Sequence, residues 1–198
     1  MKSLKYNDNI QILRGLSVIL VVLYHFGLQV ENIKFFQGGF IGVDIFFLIS
    51  GYLITGILLK NIHQDNLIIS FFKRRFSRIV PVLAFSIFIT LVFSYLIFLP
   101  NEILRLAYSA FSSLTFVSNI FFWKYLNLYN HDDAILNALL HTWSLSIEIQ
   151  FYIIFPFLFV FFKNNKKILF KAIFFFGLIS FILANLGAFY EPNVNFFG

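Results

Sequence analysis

An all-α, polytopic bundle of transmembrane helices is the fold class this sequence predicts, and three observations predict it. Sixty per cent of the 198 residues are hydrophobic and only 12% are charged, a balance far from that of soluble globular domains. The mean hydropathy is +0.84. Several apolar runs reach the roughly 20 residues a helix needs to cross about 30 Å of hydrocarbon. The lipid bilayer is therefore an expected partner. Cysteine is absent, which excludes disulfide frameworks, thiolate metal sites and cysteine nucleophiles; no metal site is expected.

The chain reads as one domain, 1–198, with five spans in order: about Ile10 to Val30, Phe40 to Leu59, Ile79 to Leu99, Trp143 to Phe162 and Ile168 to Tyr190. Arg14 interrupts the first run and no small-residue cleavage site follows His25, so that run is expected to be a retained helix and not a cleaved signal. Pro81 is expected in the first turn of its helix, and Pro100 and Pro192 just beyond helix ends, while Pro156 falls inside a span and should free the carbonyl of Tyr152. A sixth apolar stretch, Ile103 to Trp123, is diluted by Arg105, four serines, Thr115 and Asn119.

Charge sets the expected orientation. Lys2, Lys5, Lys60, Lys73, Arg74, Arg75, Arg78, Lys163, Lys166, Lys167 and Lys171 gather in the N-terminal tail, the 60–78 loop and the 163–171 loop, placing these on the cytoplasmic side. The other loops carry Glu31, Glu102, Asp132, Asp133 and Glu191 against only Lys34, Arg105 and Lys124. A crossing by Ile103 to Trp123 would push the 163–171 loop outside, so that stretch should lie at the outer interface or re-enter without crossing. The net charge of +6 is thus a topology signal, and no nucleic acid partner is expected.

Ionisable groups inside a span are expensive, which makes Arg14, His25, Asp44 and Glu148 the candidate catalytic residues. Arg14 and His25 are eleven residues apart, which returns to within about 20° of one helix face. Counted from the helix ends, His25, Asp44 and Glu148 should reach similar depths near the outer surface and share a polar pocket. In "HTWSLSIEIQFY", His141 and Ser144 can share a face with Glu148, making them candidate substrate-binding residues. Gly38, Gly39, Gly42 and Gly51 would allow close helix contacts. Lys73, Arg74, Arg75 and Arg78 read either as a topology anchor or as a phosphate site, with a helix starting near Pro81 adding amide donors.

Four ordered motifs together carry a resemblance: Arg14 with ten residues before His25, "GGFIGVDIFFLISGYLIT", "FFKRRFSRIVP" and "HTWSLSIEIQFYIIFP". From Ile10 to Pro156 the chain resembles the acyltransferase-3 family of integral-membrane acyltransferases, which includes O-antigen acetylases. The resemblance implies transfer of an acyl group, usually acetyl from cytoplasmic acetyl-CoA, to a cell-envelope carbohydrate such as lipopolysaccharide or exopolysaccharide, at the bacterial inner membrane. It implies that Arg14 and His25 are essential, that Arg74, Arg75 and Arg78 form the basic cytoplasmic motif, and that Glu148 is the motif's acidic residue. No permanently bound cofactor is implied. Family members commonly carry a second acid where this chain has Ile149, and about ten spans where this chain has five, so it is expected to be an N-terminal portion.

The expected mechanism makes His25 a general base on a sugar hydroxyl, oriented by Glu148 or Asp44, or else the carrier of a covalent acyl group. A transporter or proton-coupled channel and an inactive truncated family member are the alternatives, since intramembrane His, Asp and Glu also build proton relays.

Overall fold

The computed structural model describes residues 8–30, 33–128 and 138–190. Lys2, Lys5, Glu31, Asp132, Asp133, Glu191 and Pro192, used above for topology, lie outside them. The chain forms two compact units, Met1–Leu67 and Ile68–Gly198. Among the described residues, five helices are long and apolar enough to cross a membrane, and large apolar side chains stand exposed on them: Leu48, Phe161 and Phe174 are 73%, 86% and 74% exposed. That exposure would be ruinous in water and is ordinary against lipid.

The first unit is a helical hairpin. Helix α1 spans Asp8–Phe26 and stops at Gly27, whose φ of +59° is a left-handed conformation that suits glycine. A two-residue antiparallel ladder, Gln29–Val30 with Ile33–Lys34, turns the chain. A 3-10 turn, Gln37–Phe40, then leads into α2, Ile41–Asn61. The hairpin closes on two of the four glycines singled out above. A Cβ on Gly42 would lie 2.5 Å from the Ser17 carbonyl oxygen and 2.7 Å from Val21 Cγ2, and one on Gly39 would overlap the Leu20 carbonyl oxygen. Gly38 and Gly51 have open space where a Cβ would go.

The second unit contains α3 beyond its first residue (the helix spans Leu67–Ile97), α4 (Pro100–Leu114), α5 (Ser118–Leu128), α6 (Thr142–Phe161) and α7 (Lys166–Tyr190). Helix α3 begins twelve residues before the expected Ile79. The segment expected as a basic loop is helical because it lacks helix breakers and repeats apolar residues at helical spacing, with Leu67 and Phe71 both 2% exposed. Its 31 residues reach about 46 Å, longer than the hydrocarbon slab, so one end extends past it. Pro81 consequently sits inside the helix and not in its first turn, where it leaves the Ser77 carbonyl without its usual N–H. Pro156 is inside α6 as expected, and Pro100 opens α4.

The ambiguous stretch is broken in two. Helix α4 runs back along α3, with Leu106 and Ala110 against Leu83 and Ile87 and the ring of Phe116 against Phe76. It is therefore packed back on α3 and not splayed away at that helix's far end. The break is a Schellman cap: the N–H of Val117 donates to the Ser112 carbonyl (2.9 Å) and that of Phe116 to the Ser113 carbonyl (3.2 Å). Phe116 takes the left-handed position at φ +56°, which a bulky residue adopts only under constraint.

The constraint comes from α6. Gln150 Nε2 donates to the Phe116 carbonyl (2.9 Å) and to Asn119 Oδ1 (2.9 Å), while Asn119 returns a longer bond to Gln150 Oε1 (3.4 Å). Replacing Gln150 with the similarly shaped Leu strands both partners in a half-buried site, and a loss of roughly 1–3 kcal/mol is expected. Thermal unfolding in detergent measures it; an unchanged midpoint would show that Phe116 holds its conformation unaided.

Candidate active site

In the first unit, His25 lies in the last turn of α1. Its Nδ1 is 2.7 Å from the Val21 carbonyl oxygen, one turn back. A carbonyl can only accept, so Nδ1 carries the proton and Nε2 is the basic nitrogen of the neutral ring. Tyr24 packs edge-on against the imidazole, 5.0 Å between centroids at 87°, and also contacts Phe40. The residue is exposed at the surface of this helix. Arg14, half-buried, stands on the same stripe three turns below, as the spacing predicted.

Asp44 does not join them. Gly39 sits against Leu20 and Tyr24, and Gly42 against Ser17 and Val21. This antiparallel register puts Asp44 level with Ser17, about 12 Å along α1 from His25. From Gly42, which faces α1, two residues turn Asp44 by about 200°, to the opposite side of α2. It is exposed in the first turn of that helix. The shared depth expected for His25 and Asp44 fails because counting from helix ends ignores the register that the glycine contacts impose.

In the second unit, Glu148 and the basic segment are linked through Tyr152. The Tyr152 hydroxyl donates to Glu148 Oε1, across one turn of α6. Tyr152 is 3% exposed, and its ring lies under the guanidinium of Arg75, 5.2 Å from the centroid. Phe71 flanks the same guanidinium at 5.7 Å and meets Tyr152 edge-on at 6.2 Å and 81°. Both cation–ring distances are within the attractive range of about 6 Å. Glu148 was expected near one membrane surface and the arginines near the other. Arg75 instead lies over Tyr152, one helical turn along α6 from Glu148, because α3 starts early and brings this residue against α6. No helix starts near Pro81 to supply amide donors.

The four cations thus divide. Lys73, Arg74 and Arg78 are exposed, whereas Arg75 is half-buried and turned toward α6. His141 precedes the first residue of α6 and is exposed; the Ser144 hydroxyl donates to the His141 carbonyl at 3.1 Å, so it is partly spent on its own helix. Ile149, in place of a second acid, is fully buried while Glu148 is not, as expected of neighbours on different faces.

A polar seam on the other side of α6 was not anticipated. Thr142, Ser146 and Gln150 meet Ser113, Ser118 and Asn119, with Ser113 and Thr142 hydroxyls 2.7 Å apart and those of Ser118 and Ser146 also 2.7 Å. The i, i+4, i+8 spacing of polar residues from Thr142 was the signal for it, as were the hydroxyls diluting the 103–123 stretch. Such seams satisfy polar groups that lipid cannot, and fix how helices dock.

Comparison with known proteins agrees with the motifs. The chain is 37% identical over 171 residues to the O-acetyltransferase OatA of Staphylococcus aureus, covering 84% of this chain and 27% of that protein. It is 43% identical over 186 residues to the peptidoglycan O-acetyltransferase OatA of Listeria monocytogenes, covering 90% of this chain and 28% of that one. The chain therefore spans less than a third of the length of these curated relatives. No solved structure matches it. The acyltransferase-3 family model, described as an acyltransferase domain, matches residues 7–198; with five apolar helices and all four motifs in place, this is a membrane protein that belongs to the acyltransferase-3 family.

Proposed function

We propose that this chain moves an acetyl group from cytoplasmic acetyl-CoA to a hydroxyl of peptidoglycan, at the bacterial plasma membrane with its N-terminus inside. Family membership supports acyl transfer, and the names of the relatives favour peptidoglycan over lipopolysaccharide or O-antigen as the acceptor. The observation that carries the chemistry is the His25 hydrogen bond to Val21, which makes Nε2 the basic atom. Nε2 takes the proton of the sugar hydroxyl, the oxygen attacks the acetyl carbonyl carbon, and the carbon–sulfur bond breaks. The CoA thiolate leaves and picks up a proton. Val21 orients the ring through Nδ1.

Lys73, Arg74 and Arg78 take the donor's phosphates in this reading. Arg74 and Arg78 are one turn apart on an exposed face, suited to forked contacts with phosphate oxygens. Replacing either with Gln is expected to raise the apparent KM for acetyl-CoA roughly tenfold, the worth of one charge-assisted hydrogen bond. A KM unmoved in both variants would return these residues to a topology role. The reading as a whole is tested with membranes holding the full-length protein, acetyl-labelled CoA and peptidoglycan. Base-labile label should appear in the glycan; its absence, with the protein folded and present, overturns the proposal.

A further inference from the structure

We propose that Tyr152 is a positioning residue that sets the direction of the Glu148 carboxylate, and that Arg75 holds Tyr152 in place instead of binding the donor's phosphates. The inference deepens the proposed function, and rests on it only where turnover is the readout.

The hydroxyl of Tyr152 donates to Glu148 Oε1, and a phenol this deeply buried needs an acceptor. A carboxylate side chain has several rotamers, and a donor held one turn away favours the one that meets it. What fixes the donor is the packing of its ring. Phe71, 2% exposed, closes one edge of the ring, and the Arg75 guanidinium covers its face. Lying over the ring, that cation draws electron density from the phenol and strengthens the O–H as a donor to the carboxylate.

The geometry also says what Arg75 is not doing. Its neighbours Lys73, Arg74 and Arg78 are exposed, as a phosphate-binding surface requires, while the Arg75 head group is turned into the helix contact and shared between two rings. The basic segment is then two devices on one helix. Three cations face outward, and one reaches across to the acidic residue through an aromatic ring.

Two measurements on the full chain test this. Difference infrared spectra, wild type minus Glu148→Gln, isolate the Glu148 band without any need for activity. That band is expected to shift in Tyr152→Phe, which keeps the ring and so the packing, and in Arg75→Gln, but not in Arg74→Gln. In acetyl transfer, Tyr152→Phe and Arg75→Gln are expected to lower turnover on the order of tenfold with donor KM unchanged, as loss of orientation without loss of donor binding does. Arg75→Lys should recover part of the loss, and Tyr152→Phe should add nothing in a Glu148→Gln background. A Glu148 band identical in wild type and Tyr152→Phe overturns the inference, and so does a donor KM that rises in Arg75→Gln as it does in Arg74→Gln. A shifted band in a protein that transfers no acetyl group supports the positioning role and counts against the proposed function alone.

Discussion

Replacing His25 with Ala in the full-length protein is expected to lower O-acetylation about 10²- to 10⁴-fold, the range that positioned general bases contribute. The effect should be chemical and not structural, because the imidazole lies on the surface of α1. The contacts that close the hairpin are made by Ser17, Leu20, Val21 and Tyr24. His25→Asn separates the two jobs of the ring. Its amide can still donate to the Val21 carbonyl that Nδ1 now engages at 2.7 Å, but it has no basic nitrogen where Nε2 stands. Both variants should express and run as the parent does in detergent, and both should lose base-released acetate from the glycan. Transfer retained by His25→Asn would end the general-base assignment and leave the ring a structural part of the helix end.

The largest effect on stability is expected at Gly42. A methyl group there would sit 2.5 Å from the Ser17 carbonyl oxygen, closer than real carbon atoms approach, and the obstacle is backbone that cannot swing aside. Separating α1 from α2 to admit it forfeits the contacts between them, so Gly42→Ala should cost roughly 1–3 kcal/mol or more. Gly51→Ala is the matched control, with no atom beyond its own stretch of helix backbone within 4 Å of its new methyl group. It should be neutral or stabilise by roughly 0.5–1 kcal/mol, since alanine is the better helix residue. The midpoint of thermal unfolding in detergent compares the two. Equal midpoints would mean that the hairpin closes less tightly than the register requires, and the 12 Å offset of Asp44 from His25 would lose its basis.

That offset shows where reading a sequence stops. Hydropathy is additive and local, so composition alone determined the membrane class, the five spans and, for α6, bounds within one residue: Trp143 to Phe162 against Thr142–Phe161. Proline chemistry is local too, and Pro100 and Pro156 stand where expected. The four motifs, each a short string, identified the family without any coordinates. Helix α3 escaped because four cations depress a hydropathy average while leaving helix propensity intact, so the segment from Leu67 to Arg78 read as a loop. Misplacing that start moved Pro81 from helix interior to helix end and put the arginines a membrane's width from Glu148.

Only the tertiary structure decided which polar groups meet. The sequence alone determined that Arg14, His25, Asp44 and Glu148 lie within apolar helices, since a run of letters shows which residues share a helix and a face. The register between helices is set by contacts far apart along the chain: Gly42 on Ser17, Gln150 on Phe116, Arg75 on Tyr152. Those contacts turned Asp44 away from α1 and brought a guanidinium to within a turn of Glu148, because packing answers to side-chain shape, which a hydropathy profile does not record.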